Sequence, residues 1–114
     1  MSFYNDGLNF SHDASADLRN DQYKGVTLDA TGVLIAGADA NIVGVLQNDP
    51  EEAGQSSNIR TKGVTKAVAG GSVTVGDRVG TDADGAFVTG ATVSVATAIE
   101  SASGAGSIFA ITLD

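Results

Sequence analysis

GVTKAVAGGSVTVGDRVGTDADGAFV, residues 63–88, decides the fold class. Short apolar runs, Val64–Val68, Val73–Val75 and Ala86–Val88, alternate with turn chemistry. The turns are Ala69-Gly70-Gly71-Ser72, the kink at Gly76-Asp77, and Asp82-Ala83-Asp84-Gly85. Glycine adopts positive φ without a Cβ clash, and Asp tolerates that region while bonding its own backbone. Runs of β-formers punctuated this way predict strands of a small closed or sandwiched sheet. A helix would not persist through so many glycines and β-branched residues. Gly32, Gly76, Asp77, Asp82 and Gly85 are therefore expected to be structural turn residues.

The same grammar occurs upstream. Val26–Asp49 aligns without a gap on Val79–Ala102, matching Asp29 with Asp82, Gly32 with Gly85, Gly37 with Gly90 and Leu46 with Ile99. Each copy is followed by a small-residue turn, Ala53-Gly54 or Gly104-Ala105-Gly106, and then by a strand-like run. This reads as an internal duplication of one β-unit. Such a duplication is architectural and names no chemistry.

The 114 residues suit one domain, which at this size buries roughly 65% of the surface exposed by the unfolded chain. Four Phe, two Tyr and no Trp leave a thin aliphatic core, so self-association is expected, as a homotrimer. The absence of Cys excludes disulfides, thiolate metal sites and cysteine nucleophiles. No apolar run approaches the ~20 residues of a membrane-spanning helix, and no signal peptide or membrane partner is expected. A formal net charge of −8 argues against a nucleic-acid partner, which calls for a basic footprint.

The first segment differs from the rest. Residues 1–22, MSFYNDGLNFSHDASADLRNDQ, carry no strand or helix period, yet hold Phe3, Tyr4 and Phe10. They are expected to form an extended N-terminal arm that docks on a neighbour or packs on its own domain. Residues 23–114 are expected to form the β-rich domain, an all-β barrel or sandwich with strands at Tyr23–Leu28, Gly32–Ala36, Asn41–Gln47, Asn58–Thr61, Val64–Val68, Val93–Glu100 and Ser107–Leu113.

No motif carries catalysis. Asp82-Ala83-Asp84-Gly85 opens like a calcium loop but has no closing acid, so a tight turn is expected rather than a metal site. His12, the single histidine, sits in Ser11-His12-Asp13, and adjacent residues do not converge as a triad. No catalytic residue, metal or cofactor is expected. Four of the six basic residues, Arg60, Lys62, Lys66 and Arg78, fall close together. Arg60, Lys62 and Lys66 form a candidate stripe for an acidic partner, or a solvated strand face that discourages edge pairing.

Several short segments together resemble the small capsid decoration, or cement, proteins of tailed bacteriophages. They are Val43-Gly44-Val45-Leu46-Gln47-Asn48-Asp49-Pro50, Ile59-Arg60-Thr61-Lys62-Gly63-Val64, the run from Val75 to Gly85, and Gly106-Ser107-Ile108. The resemblance implies a compact β-fold on the outer capsid surface of a virion, commonly trimeric, with the major capsid protein as partner. It implies a mechanical role, stabilising the shell by bridging capsomers. Phe3, Tyr4, Phe10, Arg60, Lys62 and Lys66 are the candidate capsid or protomer contacts. The alternative is a carbohydrate- or receptor-binding β-module of a phage spike, which calls for aromatics on a rigid exposed face.

Overall fold

A computed structural model describes residues 8–113. Among them there is no helix. Nine strands form one curled antiparallel sheet: β1 (Leu8–Asp13), β2 (Gly25–Asp29), β3 (Gly32–Ile35), β4 (Gly44–Leu46), β5 (Ser56–Val68), β6 (Arg78–Thr81), β7 (Phe87–Thr89), β8 (Ala96–Ala98) and β9 (Ile108–Leu113). The order along the sheet is β3-β2-β4-β5-β9-β8-β6-β7, with β1 also paired to β5. The architecture is a half-barrel.

That order reads the same from either end, because the two halves are built alike. In the first, β1 pairs the N-terminal part of β5, β5 pairs β4, β4 pairs β2 and β2 pairs β3. In the second, the C-terminal part of β5 pairs β9, β9 pairs β8, β8 pairs β6 and β6 pairs β7. The registers correspond as well. Asp13↔Ser56 and Asn9↔Arg60 repeat as Val68↔Ile108 and Val64↔Thr112. Val45↔Arg60 repeats as Thr97↔Thr112, and Gly25↔Val45 as Arg78↔Thr97. A parallel bridge closes each half, Ala14 to Val33 and Ala69 to Phe87. Strand β5 thus ends the first unit and begins the second.

The expected arm is corrected by this arrangement. Residues 8–13 are a ladder strand, and the fold begins well before Tyr23. Ala14 and Leu18 are buried at 1% and 3%, in a core with Val26, Val33, Leu46 and Ile59. The Leu18 amide donates to the carbonyl of Pro50, as Val73 does to Ala102 in the second half. The pattern is hidden because Asn9, Ser11, His12 and Asp13 are all exposed, so β1 contributes backbone bonds rather than an apolar stripe. Phe3 and Tyr4 lie outside the described residues.

Two further expectations differ. Asn58–Thr61 and Val64–Val68 are one thirteen-residue strand, not two. Gly63, with φ 93°, bends it where β1 gives way to β9, and the register shifts by a bulge opposite Leu8 and Asn9. The gapless alignment also slips by one residue at the second hairpin. Asp29 pairs directly with Gly32 across β2–β3, whereas the β6–β7 ladder resumes only at Thr81↔Phe87, with Asp82 bonded to Ala86. Beyond the hairpin, residues 36–43 join β3 to β4 whereas the shorter run 90–95 joins β7 to β8, which makes Ala98 the counterpart of Leu46, and Ile99 the counterpart of Gln47.

The second core is larger. It joins Val45, Ala67, Val79, Phe87, Phe109 and Ile111, among others, with Tyr23, Ile42, Val95 and Leu113 packed against it. Two aromatic rings fill this half, while the first depends on aliphatic side chains and half-buried Phe10.

Candidate functional surface

The turn residues are occupied by their own backbone. Asp29 Oδ1 accepts from the Thr31 hydroxyl at 2.6 Å and its amide at 2.8 Å. These bonds hold its carboxyl below the ordinary value, the hydroxyl contributing most. Asp82 Oδ1 accepts from the Asp84 and Ala86 amides at 2.8 and 3.1 Å. Asp77 Oδ2 accepts from the Thr74 amide at 3.0 Å, beside Gly76 with φ 93°. Gly32 and Gly85 have φ 129° and 78°. The Asp29 and Asp82 carboxylates close Asx turns, while Asp77 reaches back to the start of its own turn. Among the described residues no cluster of three or more His, Cys, Asp or Glu could hold a metal. His12 is exposed on β1, at the register position facing Ser57.

The basic residues are distributed along β5. Arg60 is half-buried and bridges the strand's irregularity: Nη1 donates to the Val64 carbonyl at 2.6 Å and Nε to Asn9 Oδ1 at 3.0 Å. Lys62 and Lys66 are exposed. Lys66 Nζ stands 5.9 Å from the centroid of the Tyr23 ring, within range of a cation–π attraction. Arg60 and Lys66 come together at a shallow groove of about 470 Å³, lined also by Tyr23, Gln47, Val64 and Glu100. Phe10 lies half-buried against the first core.

Residues alternating outward on β5 and β9 continue this surface. Val64, Lys66 and Val68 stand in register with Thr112, Ala110 and Ile108. The Ile99 amide bonds the Ala110 carbonyl, which brings Ile99 alongside. Val64, Ile99 and Ile108, three of the five large hydrophobics exposed among the described residues, are 44%, 42% and 52% exposed and fall on one sheet face. Arg78 Nη1 donates to Thr97 Oγ1 at the far side, where Thr97 pairs Thr112. Ile108, Ala110 and Thr112 alternate on one face of β9, with Phe109 and Ile111 buried on the other. The surface offers apolar contact bordered by cations, suited to another protein rather than to bond chemistry.

Residues 10–113 match the family described as phage cement protein. Among curated proteins none matches. Among solved structures, the N base of head fiber gp8.5 in bacteriophage phi29 is similar at a TM-score of 0.75. That similarity covers 94% of this chain and 93% of that one at 18% identity, a likeness of fold.

Proposed function

The chain belongs to the phage cement protein family, and on that premise we propose that it binds neighbouring capsomers of the major capsid protein as a homotrimer and braces the shell by bridging them. As a member of that family it is a structural component of the virion at the outer capsid. The observation that carries the finer reading is the family match running from β1 into β9, across both halves of the fold. A bridging protein gains from repeated attachment: each contact raises the effective concentration of the next. Burial of apolar surface supplies about 25 cal/mol per Å² before ordering costs, which favours an exposed apolar sheet face. Sugar binding has less support, since among the described residues Phe10 and Tyr23 are half-buried and Phe87 and Phe109 are buried.

The test is saturation binding to undecorated heads of the same phage, followed by heating of decorated and bare particles. Bridging predicts saturable binding, three copies per site and a higher temperature of DNA release from decorated heads. Binding without any gain in particle stability would remove the bracing role, and one copy per site would remove the trimer.

A further inference from the structure

The two halves supply an internal control. Their ladders correspond pair for pair over Asn9–Asp13 and Val64–Val68 and over β4 and β8, so each outward position there has a counterpart on the other half. Val64 corresponds to Asn9, Lys66 to Ser11 and Ile108 to Ser56. Ile99 corresponds to Gln47, whose amide likewise bonds the carbonyl opposite, that of Asn58. The first half therefore carries Asn, Gln and Ser where the second carries Val, Ile and Ile. Strand propensity alone would account for Val and Ile at these sites. Yet the same register forms with polar residues in the first half, so the fold does not require the apolar set. An apolar surface that the fold does not need is one that something else covers.

Charge indicates what covers it. The chain holds 14 acidic and 6 basic side chains, but this surface inverts that balance. Lys66 stands within it, Arg60 is bonded to the Val64 carbonyl at one border and Arg78 to Thr97 at another. Glu100 is the acid at its groove. Two copies meeting through this same face about a two-fold axis would set Lys66 against Lys66, an arrangement that like charge opposes, and a trimer's contacts join unlike surfaces rather than this face to itself.

We propose that the outer face of β5–β9, centred on Val64, Lys66, Ile99 and Ile108, is the surface that docks on the capsid, and that its complement is an apolar patch bordered by carboxylates. This rests on the head-binding reading above. The test grafts the first half's residues onto the second: Val64→Asn, Ile99→Gln and Ile108→Ser together, with Lys66→Glu as a separate variant. Each is examined by thermal unfolding, sedimentation velocity and titration onto undecorated heads at two salt concentrations. The expected result is an unchanged thermal midpoint, with head affinity at least tenfold weaker for the triple variant. Lys66→Glu is expected to weaken binding most at low salt. Parental affinity in both variants overturns the assignment, as does loss of self-association with head binding intact, which makes the face a contact between copies. If the triple variant does not fold, Lys66→Glu carries the test alone. Failure of the parent protein to bind heads would instead remove the reading on which the proposal stands.

Discussion

Tyr23 and Gly76 hold the same place in the two halves of the sheet: both have positive φ, 69° and 93°, and both donate an amide bond to the matching strand. Tyr23 donates to Leu46 at 2.7 Å and Gly76 to Ala98 at 2.8 Å. The next residues, Lys24 and Asp77, each accept a bond from those same partners. One half fills this left-handed position with glycine and the other with an aromatic residue, for which that conformation is costly. The Tyr23 ring packs against the large core and lies near Lys66, contacts that a glycine would forgo.

Gly76→Ala isolates the backbone cost. A Cβ built there meets nothing within 4 Å, so no clash adds to the unfavourable φ. The substitution is expected to destabilise by about 1 kcal/mol, read from urea unfolding with an unchanged slope. A parental midpoint would mean that the backbone relaxes out of this conformation freely.

Gly32→Ala should cost more. Its φ of 129° is strained for any side chain, and an added Cβ would run into the carbonyl oxygen of Asp13. That contact lies where β1 bridges β3, so relief requires parting the two strands. A loss of about 2–4 kcal/mol is expected from the combined strain and separation. A loss no greater than that of Gly76→Ala would show that β1 moves aside easily.

How far the sequence discloses this fold follows from which residues face inward. The β2–β3 and β6–β7 hairpins are legible because Val26, Val33, Val79 and Phe87 are buried and the Asp turns have distinctive chemistry. Strand β1 is not, because His12 occupies the register position that buried Ala67 holds in the second half. The docking face was legible only in part. Lys66 falls in the basic stripe, whereas Ile99 and Ile108 look like core residues until the sheet order leaves them outward.

Ser57→Ala is expected to stabilise the protein. Ser57 is fully buried and its hydroxyl has no hydrogen-bond partner among the described residues. Its counterpart across the duplication is Phe109, an apolar core residue. Removing an unsatisfied buried hydroxyl should add about 1 kcal/mol, measured by denaturant unfolding. Destabilisation would indicate that Ser57 has a bonding partner after all.

Asp29 sets an acid limb for the first hairpin. Its carboxyl is held below the ordinary 3.8 by the Thr31 hydroxyl and amide, so the native state favours the ionised form. Its stabilising contribution is fully present above that value and is lost as pH falls through the lowered native pKa. Carboxyl-carbon NMR should find Asp29 titrating below 3.8, and Asp29→Ala should flatten the acid side of the stability profile. Titration at or above 3.8 would contradict the turn geometry.

Two truncations separate residues 8–22, which pack in the sheet, from Phe3 and Tyr4, the aromatic contacts expected from the sequence. Deleting residues 2–7 removes Phe3 and Tyr4 and leaves β1 in place. The ladder from Leu8↔Lys62 to Asp13↔Ser56 is then intact, so parental unfolding is expected. If Phe3 and Tyr4 anchor the protein, head affinity falls all the same, because aromatics bury a large area with few rotors to freeze. Deleting residues 2–22 also removes that ladder, the bridge from Ala14 to Val33, and buried Leu18. Val33 and Ile59 would lose buried neighbours in a core of few residues, and cavities of that kind cost several kilocalories per side chain. The longer deletion is expected to unfold the first half, which amide exchange would report as lost protection in β2–β4 with β6–β9 less affected. Native protection throughout would show that residues 8–22 only decorate a domain complete without them, and unchanged head binding by the shorter variant would leave attachment to the β5–β9 face.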